Sequence, residues 1–393
     1  MPRRLLKIAM VISSLSAGGA ERVVVLLARG LTALGHRVSI VTIFGADRDF
    51  YATPEGVDRV ALDLGGETRS VVEKVTANAR RLAALRRAVR RLGPDVVISF
   101  MPETNVLALL AGWGTRVPVV VTEHADPRVF RLKPPWETLR RVTYRRAARV
   151  VSVSAGVDEH FAWLPGAKRA VIPNPIPLGE IRSEKPGTGP ICEKHPAGGA
   201  GESDLPSFSR WPHVVMGMGR LAPEKGFDVL IGAFARSAAE LPDWGLVILG
   251  EGSERATLES IVAELGLQDR VCLPGVVDDP FSALRRADVF VLSSRSESFG
   301  NALVEAMACG LPVVATKCWS RSPGLVRDGV DGVLVPADDV DALAGAMSEL
   351  MRDEARRRQF ASEAAGAVER FDVAAVSQTW DELLQAIAGR RSQ

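Results

Sequence analysis

The 393-residue chain has only four cysteines, five histidines and two tyrosines. Cys192, Cys272, Cys309 and Cys318 form no Cys-x-x-Cys pair, and three of them sit in apolar or glycine-flanked surroundings. A disulfide scaffold is therefore excluded and reduced thiols are expected. Long apolar runs are also missing. The longest charge-free stretch, 8–20, has thirteen residues, well short of the ~20 that a spanning helix needs, so no transmembrane helix is expected. Arg3-Arg4 ahead of this stretch gives it some likeness to an export signal, but Lys7 interrupts the run and the residues after it continue into a helical pattern. The reduced thiols point to a cytoplasmic location. Strong net charge is absent as well: the balance is +2, which argues against nucleic acid as a partner.

Hydrophobic residues make up 47% and charged residues 24% of the chain, enough apolar material for one large core or two medium ones. The near-neutral total hides an uneven distribution. Residues 1–180 carry 27 basic and 16 acidic groups, and the remainder carries 22 and 31, so the protein is dipolar.

Hydrophobic patterning alternates along the chain. Residues 6–13 read as a strand, 14–19 as a glycine-containing turn, and 20–34 as a helix with Val23, Leu27, Leu31 and Leu34 on one face, ended by Gly35. Further strands are predicted at 38–44, 57–62, 96–100, 117–122 and 150–153, with a helix over 73–92. After a stretch rich in Gly, Pro and Ser at 183–210, which reads as a linker, the alternation restarts. Strands are predicted at 214–218, 245–249, 271–273, 289–292, 313–316 and 332–335, with helices at 226–238, 253–265, 282–286 and 301–308. Repeated strand–helix–strand winding predicts an α/β protein with two doubly wound Rossmann-like domains. The expected boundaries are 1–180, a linker at 181–211, a second domain over 212–371, and a C-terminal helix within 372–393 that packs back on the first domain. In such sheets ligands bind beyond the carboxyl ends of the strands.

Two segments at predicted strand ends carry the chemistry. Met218-Gly219-Arg220-Leu221-Ala222-Pro223-Glu224-Lys225-Gly226 sets two cations beside a helix start, which suits a diphosphate. Ser293-Ser294-Arg295-Ser296-Glu297-Ser298-Phe299-Gly300-Asn301-Ala302-Leu303-Val304-Glu305 holds two carboxylates separated by seven residues. Were the whole interval helical they would stand ~12 Å apart along the axis. That is too far for an acid–base pair on one bond, but it suits two hydroxyl-rich ends of one ligand with a phosphate between them. Asp278-Asp279 is not a spaced metal motif. Cys192-x-x-His195 lacks further ligands, so no metal is expected.

These segments, with Leu249-Gly250-Glu251-Gly252, Gly18-Gly19-Ala20-Glu21-Arg22, Thr122-Glu123-His124 and Ile172-Pro173-Asn174-Pro175, resemble the retaining GT-B glycosyltransferases of family 4 over nearly the whole chain and in the same order. The resemblance implies that Arg220 and Lys225 neutralise the donor diphosphate, Glu305 binds the ribose, and Glu297 holds the transferred sugar. It also implies that the backbone at Phe299, Gly300 and Asn301 supports the phosphates, and that Gly18 and Gly19 allow close approach of the N-terminal loop. By the same resemblance His124 faces the anomeric centre, and Gly275, Val276 and Val277 meet the base. The implied substrates are a nucleotide-sugar donor, UDP-linked, and a lipid-linked saccharide acceptor of bacterial polysaccharide assembly, with no cofactor. One departure stands out: where relatives often read Gly-Pro-x-Glu-Ile, this chain reads Cys318-Trp319-Ser320-Arg321-Ser322-Pro323.

The basic excess of the first half is concentrated in Arg80, Arg81, Arg86, Arg87, Arg90 and Arg91, and in Arg131, Lys133, Arg140, Arg141, Arg145, Arg146 and Arg149, the latter interleaved with Phe130, Trp136 and Tyr144. Such a pattern suits an anionic membrane surface, where each exposed cation contributes ~1 kcal/mol. The expected location is thus the inner face of the plasma membrane. Two rival readings share the architecture: a nucleotide-sugar 2-epimerase, and a subunit that binds nucleotide without transferring sugar.

Overall fold

The computed structural model describes residues 4–66, 70–183, 210–277, 279–318 and 324–389. The chain divides into two units, Met1–Pro177 together with Arg370–Gln393, and Leu178–Glu369.

The first unit is built on seven parallel strands: β1 (Lys7–Ile12), β2 (Arg37–Thr42), β3 (Asp58–Ala61), β4 (Val96–Phe100), β5 (Val119–Glu123), β6 (Arg149–Ser152) and β7 (Arg169–Val171). Their spatial order is β3-β2-β1-β4-β5-β6-β7. The second unit has six: β8 (His213–Met218), β9 (Trp244–Leu249), β10 (Val271–Gly275), β11 (Val289–Leu292), β12 (Val313–Lys317) and β13 (Gly332–Pro336), in the order β10-β9-β8-β11-β12-β13. Both sheets are wound outward from their first strand, so the winding reverses between β1 and β4 in one and between β8 and β11 in the other. These reversals open the crevices in which doubly wound sheets bind ligands.

Central strands such as β1, β4 and β9 are buried along nearly their whole length, as parallel sheets covered on both faces require. The C-terminal helix Val373–Gly389 packs on the helix Gly19–Ala33, and its Trp380 and Leu384 join the core beneath β1 and β4. A buried polar contact fastens it. His36 Nδ1 accepts from the Leu6 amide at 3.1 Å, which leaves Nε2 to carry the proton and donate to Asp381 Oδ1 at 2.8 Å.

The expected boundaries need two corrections. The first unit ends at Pro177 rather than at 180, because the helix Leu178–Ser183 is held by the second unit: Arg285 Nη1 donates to Ile181 O at 3.0 Å and Arg182 pairs with Glu369 at 2.6 Å. Trp211, assigned to the linker, lies buried against Gly245 in the second sheet and donates through Nε1 to Asp269 O at 3.2 Å. Most of the expected linker lies outside the described residues, as do Cys192-x-x-His195 and residues 319–323. Among the described residues no helix is long and apolar enough to cross a membrane, and no group of three or more His, Cys, Asp or Glu side chains gathers to hold a metal.

Candidate active site

In the second unit the two chemistry-bearing segments follow β8 and β11, the neighbouring strands at which the winding reverses. This adjacency brings Lys225 Nζ to 2.5 Å from Glu297 Oε1, with both side chains largely buried. Ser294 Oγ donates to the same carboxylate oxygen at 2.8 Å, and Ser293 Oγ donates to Lys225 O at 2.9 Å. Gly226 permits the close fit of the two turns. Its φ is +61°, and a Cβ there would lie 2.3 Å from the Ser293 carbonyl oxygen, a backbone clash that no rotamer relieves.

Arg220 stands apart from this couple. It pairs with Glu224 at 2.5 Å and is 63% exposed, so its guanidinium is free to exchange one anion for another at little cost. Gly300, at φ +91°, ends the second turn and caps the helix Asn301–Ala308 without a side-chain bond. Amide groups at that terminus, with the helix dipole behind them, favour an anion. Phe299 is buried below the turn, and Glu305 is buried within the same helix. Gly275 closes β10, and its carbonyl accepts from the Gly250 amide at 2.8 Å; beyond it Val276 is exposed. Val277 follows in the same loop.

The remaining predicted residues belong to the first unit. Gly18 caps the helix that Gly19 opens. The nearest atoms to a Cβ on Gly18 would be those of the Glu21 carboxylate, from 2.2 Å, and the far end of that flexible side chain can move away. His124 follows β5, stacks on Phe100 with centroids 5.5 Å apart, and bonds through Nε2 to Thr122 Oγ1 at 3.1 Å. Burial lowers its imidazole to about 4, against the opposing influence of Asn174, so the ring is neutral at ordinary pH. The recess it shares with Thr122, Asn174 and Trp380 measures about 10 Å³, room for one water and not for a sugar.

Sequence reasoning missed a buried polar network behind His124. Glu123, the last residue of β5, is fully buried and accepts a short hydrogen bond from Tyr144 Oη. Asn105 Nδ2 donates to Tyr144 Oη at 3.0 Å and to Thr122 O at 2.8 Å. Burial raises the Glu123 carboxyl to about 7, opposed by Arg140, Tyr144 and Asn105, while Glu103 adds to the rise. Arg140 is 2% exposed and pairs with Glu137 at 2.5 Å. Two residues assigned to a membrane-facing cluster are therefore core residues: Tyr144 bonds the buried Glu123 and Asn105, and the buried Arg140 pairs with Glu137 on its own helix and sets its charge near Glu123. The sequence signal was the pair Asn105 and Glu123, polar side chains beside apolar runs. Met101, at the end of β4 beside the first sheet's reversal, holds φ +74°, a strained backbone of the kind found at functional sites.

Two doubly wound parallel sheets in one chain are the architecture of the GT-B sugar-transferring proteins. Residues 209–366 match the family of glycosyl transferases group 1, and residues 18–175 match the glycosyl transferase 4-like domain. The chain belongs to this glycosyltransferase family. It is 26% identical over 98% of its length, and 99% of the relative's, to an α-1,4-N-acetylgalactosaminyltransferase of Campylobacter jejuni, whose name gives an undecaprenyl-diphosphate-linked glycan as acceptor. It is 32% identical to LpsE of Rhizobium meliloti, a lipopolysaccharide core glycosyltransferase, over 64% of this chain and 68% of that one. Among solved structures, Anabaena HepE in complex with UDP superposes with a TM-score of 0.73, covering 97% of this chain and 100% of the other at 22% identity.

Proposed function

We propose that this glycosyltransferase moves a hexose or N-acetylhexosamine from a UDP-sugar to a lipid-diphosphate-linked saccharide in bacterial surface-glycan assembly. Transfer proceeds with retention of configuration and without a metal. The observation that carries the reading is the Lys225–Glu297 contact at the β8–β11 reversal, beside the amide end of the helix Asn301–Ala308. The C. jejuni relative is named for a lipid-linked acceptor and LpsE for lipopolysaccharide core assembly, and HepE binds UDP; these names support the substrate class.

On this reading the donor's diphosphate takes the place of Glu297 on the Lys225 ammonium. Glu297 then accepts hydrogen bonds from the sugar's hydroxyls. Arg220 and the amides at Gly300 and Asn301 supply the rest of the countercharge, and Glu305 orients the ribose. The leaving phosphate departs on the face from which the acceptor hydroxyl attacks and takes up its proton, so no enzymic nucleophile is needed. His124, to which the family resemblance assigns a role toward the donor, is neutral and so would offer a hydrogen bond rather than a charge.

A panel of UDP- and GDP-sugars with an undecaprenyl-diphosphate-linked acceptor tests this. One UDP-sugar is expected to release UDP in step with acceptor extension, giving an α-linked product from an α-linked donor. Inversion at the transferred carbon, or a strict need for a divalent ion, would overturn the corresponding part. No observation favours the epimerase.

The exposed apolar residues Val129, Phe130, Leu139 and Val142, with exposed Arg131, Lys133, Arg141 and Arg145, form the surface proposed to meet an anionic membrane. In vesicle co-sedimentation, binding is expected to phosphatidylglycerol-containing vesicles and to fall as salt rises. Equal binding to neutral vesicles would remove the electrostatic argument.

A further inference from the structure

Arg295 lies between Ser294 and Ser296 in the second turn, and the functional reading above gives it no task. Its guanidinium is almost fully spent. Nε donates to Asp338 Oδ1 at 2.6 Å, Nη1 to Pro223 O at 2.7 Å and to Asp228 Oδ1 at 2.9 Å, and Nη2 to Asp228 Oδ2 at 2.6 Å. Of the five N–H groups an arginine has, four are engaged, so this cation has little left to offer a phosphate.

What those bonds join is informative. Pro223 begins the short turn Pro223–Lys225, Asp228 lies in the first turn of the helix that follows it, and Asp338 precedes the helix Val340–Arg352. The main chain repeats the attachment: the Arg295 amide donates to Glu224 O at 2.8 Å. Asp338 also holds its carboxylate in position at a cost, since its φ is +59°, a left-handed conformation that is unfavourable for any residue with a Cβ and persists where surrounding contacts over-determine it.

We propose that Arg295 is a positioning residue of the donor site: anchored by Asp228 and Asp338, it holds the Pro223–Lys225 turn against the 293–298 turn and so fixes Lys225 beside Glu297. The proposal rests on the reading of Lys225 as the ligand of the donor diphosphate. A lysine at 295 cannot span the same acceptors, because one ammonium replaces a planar fork.

The test is UDP affinity by calorimetry together with Tm. Arg295→Ala and Arg295→Lys are each expected to weaken UDP binding about tenfold, within the range of coupled neighbouring residues. Asp338→Gly removes the anchor and relieves the backbone at once, so Tm is expected to hold or rise while UDP affinity falls about threefold. In a Lys225→Ala background, Arg295→Ala is expected to cost almost nothing further, because the group it positions is gone. Arg236→Ala, which breaks an exposed pair with Asp341 in the same unit, is expected to leave UDP affinity unchanged.

Three outcomes are adverse. Wild-type UDP affinity in Arg295→Ala, with Lys225→Ala defective, overturns the brace and leaves the donor site standing. Additive losses in the double variant also overturn it, because Arg295 would then act independently of Lys225. A harmless Lys225→Ala removes the donor-site reading, and the brace with it.

Discussion

Lys225→Ala is expected to lower kcat/KM for the sugar-nucleotide donor by about 10²–10³-fold while Tm stays within a few degrees of wild type. Charge builds on the diphosphate as the glycosidic bond breaks, so a cation fixed at that point stabilises the transition state more than the ground state. Removing one such group from a preorganised site costs losses of this size. The Lys225 ammonium is 2.5 Å from Glu297 and the side chains are 20% and 14% exposed, so the contact is shielded from solvent screening, unlike that of Arg220. The loss is expected mainly in kcat, with a smaller rise in KM. Steady-state kinetics with the preferred UDP-sugar checks this; an unchanged kcat/KM would detach Lys225 from the chemistry.

The second large effect concerns stability. Glu123 is fully buried, and burial raises its carboxyl from 4.5 to about 7. The sign follows from linkage. Below pH 4.5 the group is protonated whether the chain is folded or not, and it imposes no penalty. Between 4.5 and 7 the unfolded chain ionises while the folded one keeps its proton, so stability falls as pH rises. Above 7 the penalty is constant, of the order of 3 kcal/mol at 1.36 kcal/mol per pKa unit. Glu123→Gln does not titrate. Its stability relative to wild type is therefore expected to rise by about 2–3 kcal/mol between pH 5 and pH 8. Urea unfolding of both proteins at several pH values measures this, and the changing difference is the test because any constant offset from altered bonding to Tyr144 cancels. A difference independent of pH would mean that Glu123 titrates like an exposed carboxyl.

Most of the architecture was legible because buried parallel strands leave short continuous apolar runs and the helices between them leave a 3.6-residue stripe. The helix Pro102–Gly112 was not, because it is buried nearly all round: Thr104, Asn105, Val106, Leu107, Ala108, Leu109 and Ala111 are all covered, so no apolar stripe alternates with a polar face. At three residues, one of them an arginine, β7 (Arg169–Val171) is too short to stand out as an apolar run.

At the site, the position of both motifs at strand ends could be read, since turns after parallel strands carry the same glycine, proline and small polar residues wherever they occur. The pairing of Lys225 with Glu297 could not. Those residues stand 72 positions apart, and they meet only because β11 crosses over to lie beside β8. The same kind of long-range packing explains Tyr144, whose interleaving with exposed cations looked like a surface pattern until Glu123 and Asn105, from two other elements, drew it inside. Arg295 read as one more charge in a serine-rich turn, and its partners Asp228 and Asp338 come from the starts of two different helices.

The most direct measurement is a crystal structure of the protein with UDP. The account predicts the diphosphate within hydrogen-bonding reach of Lys225 Nζ, the Arg220 guanidinium and the amides of Gly300 and Asn301, with Glu297 displaced from Lys225. Nucleotide bound elsewhere, with Lys225 still paired to Glu297 and Arg220 to Glu224, would contradict it.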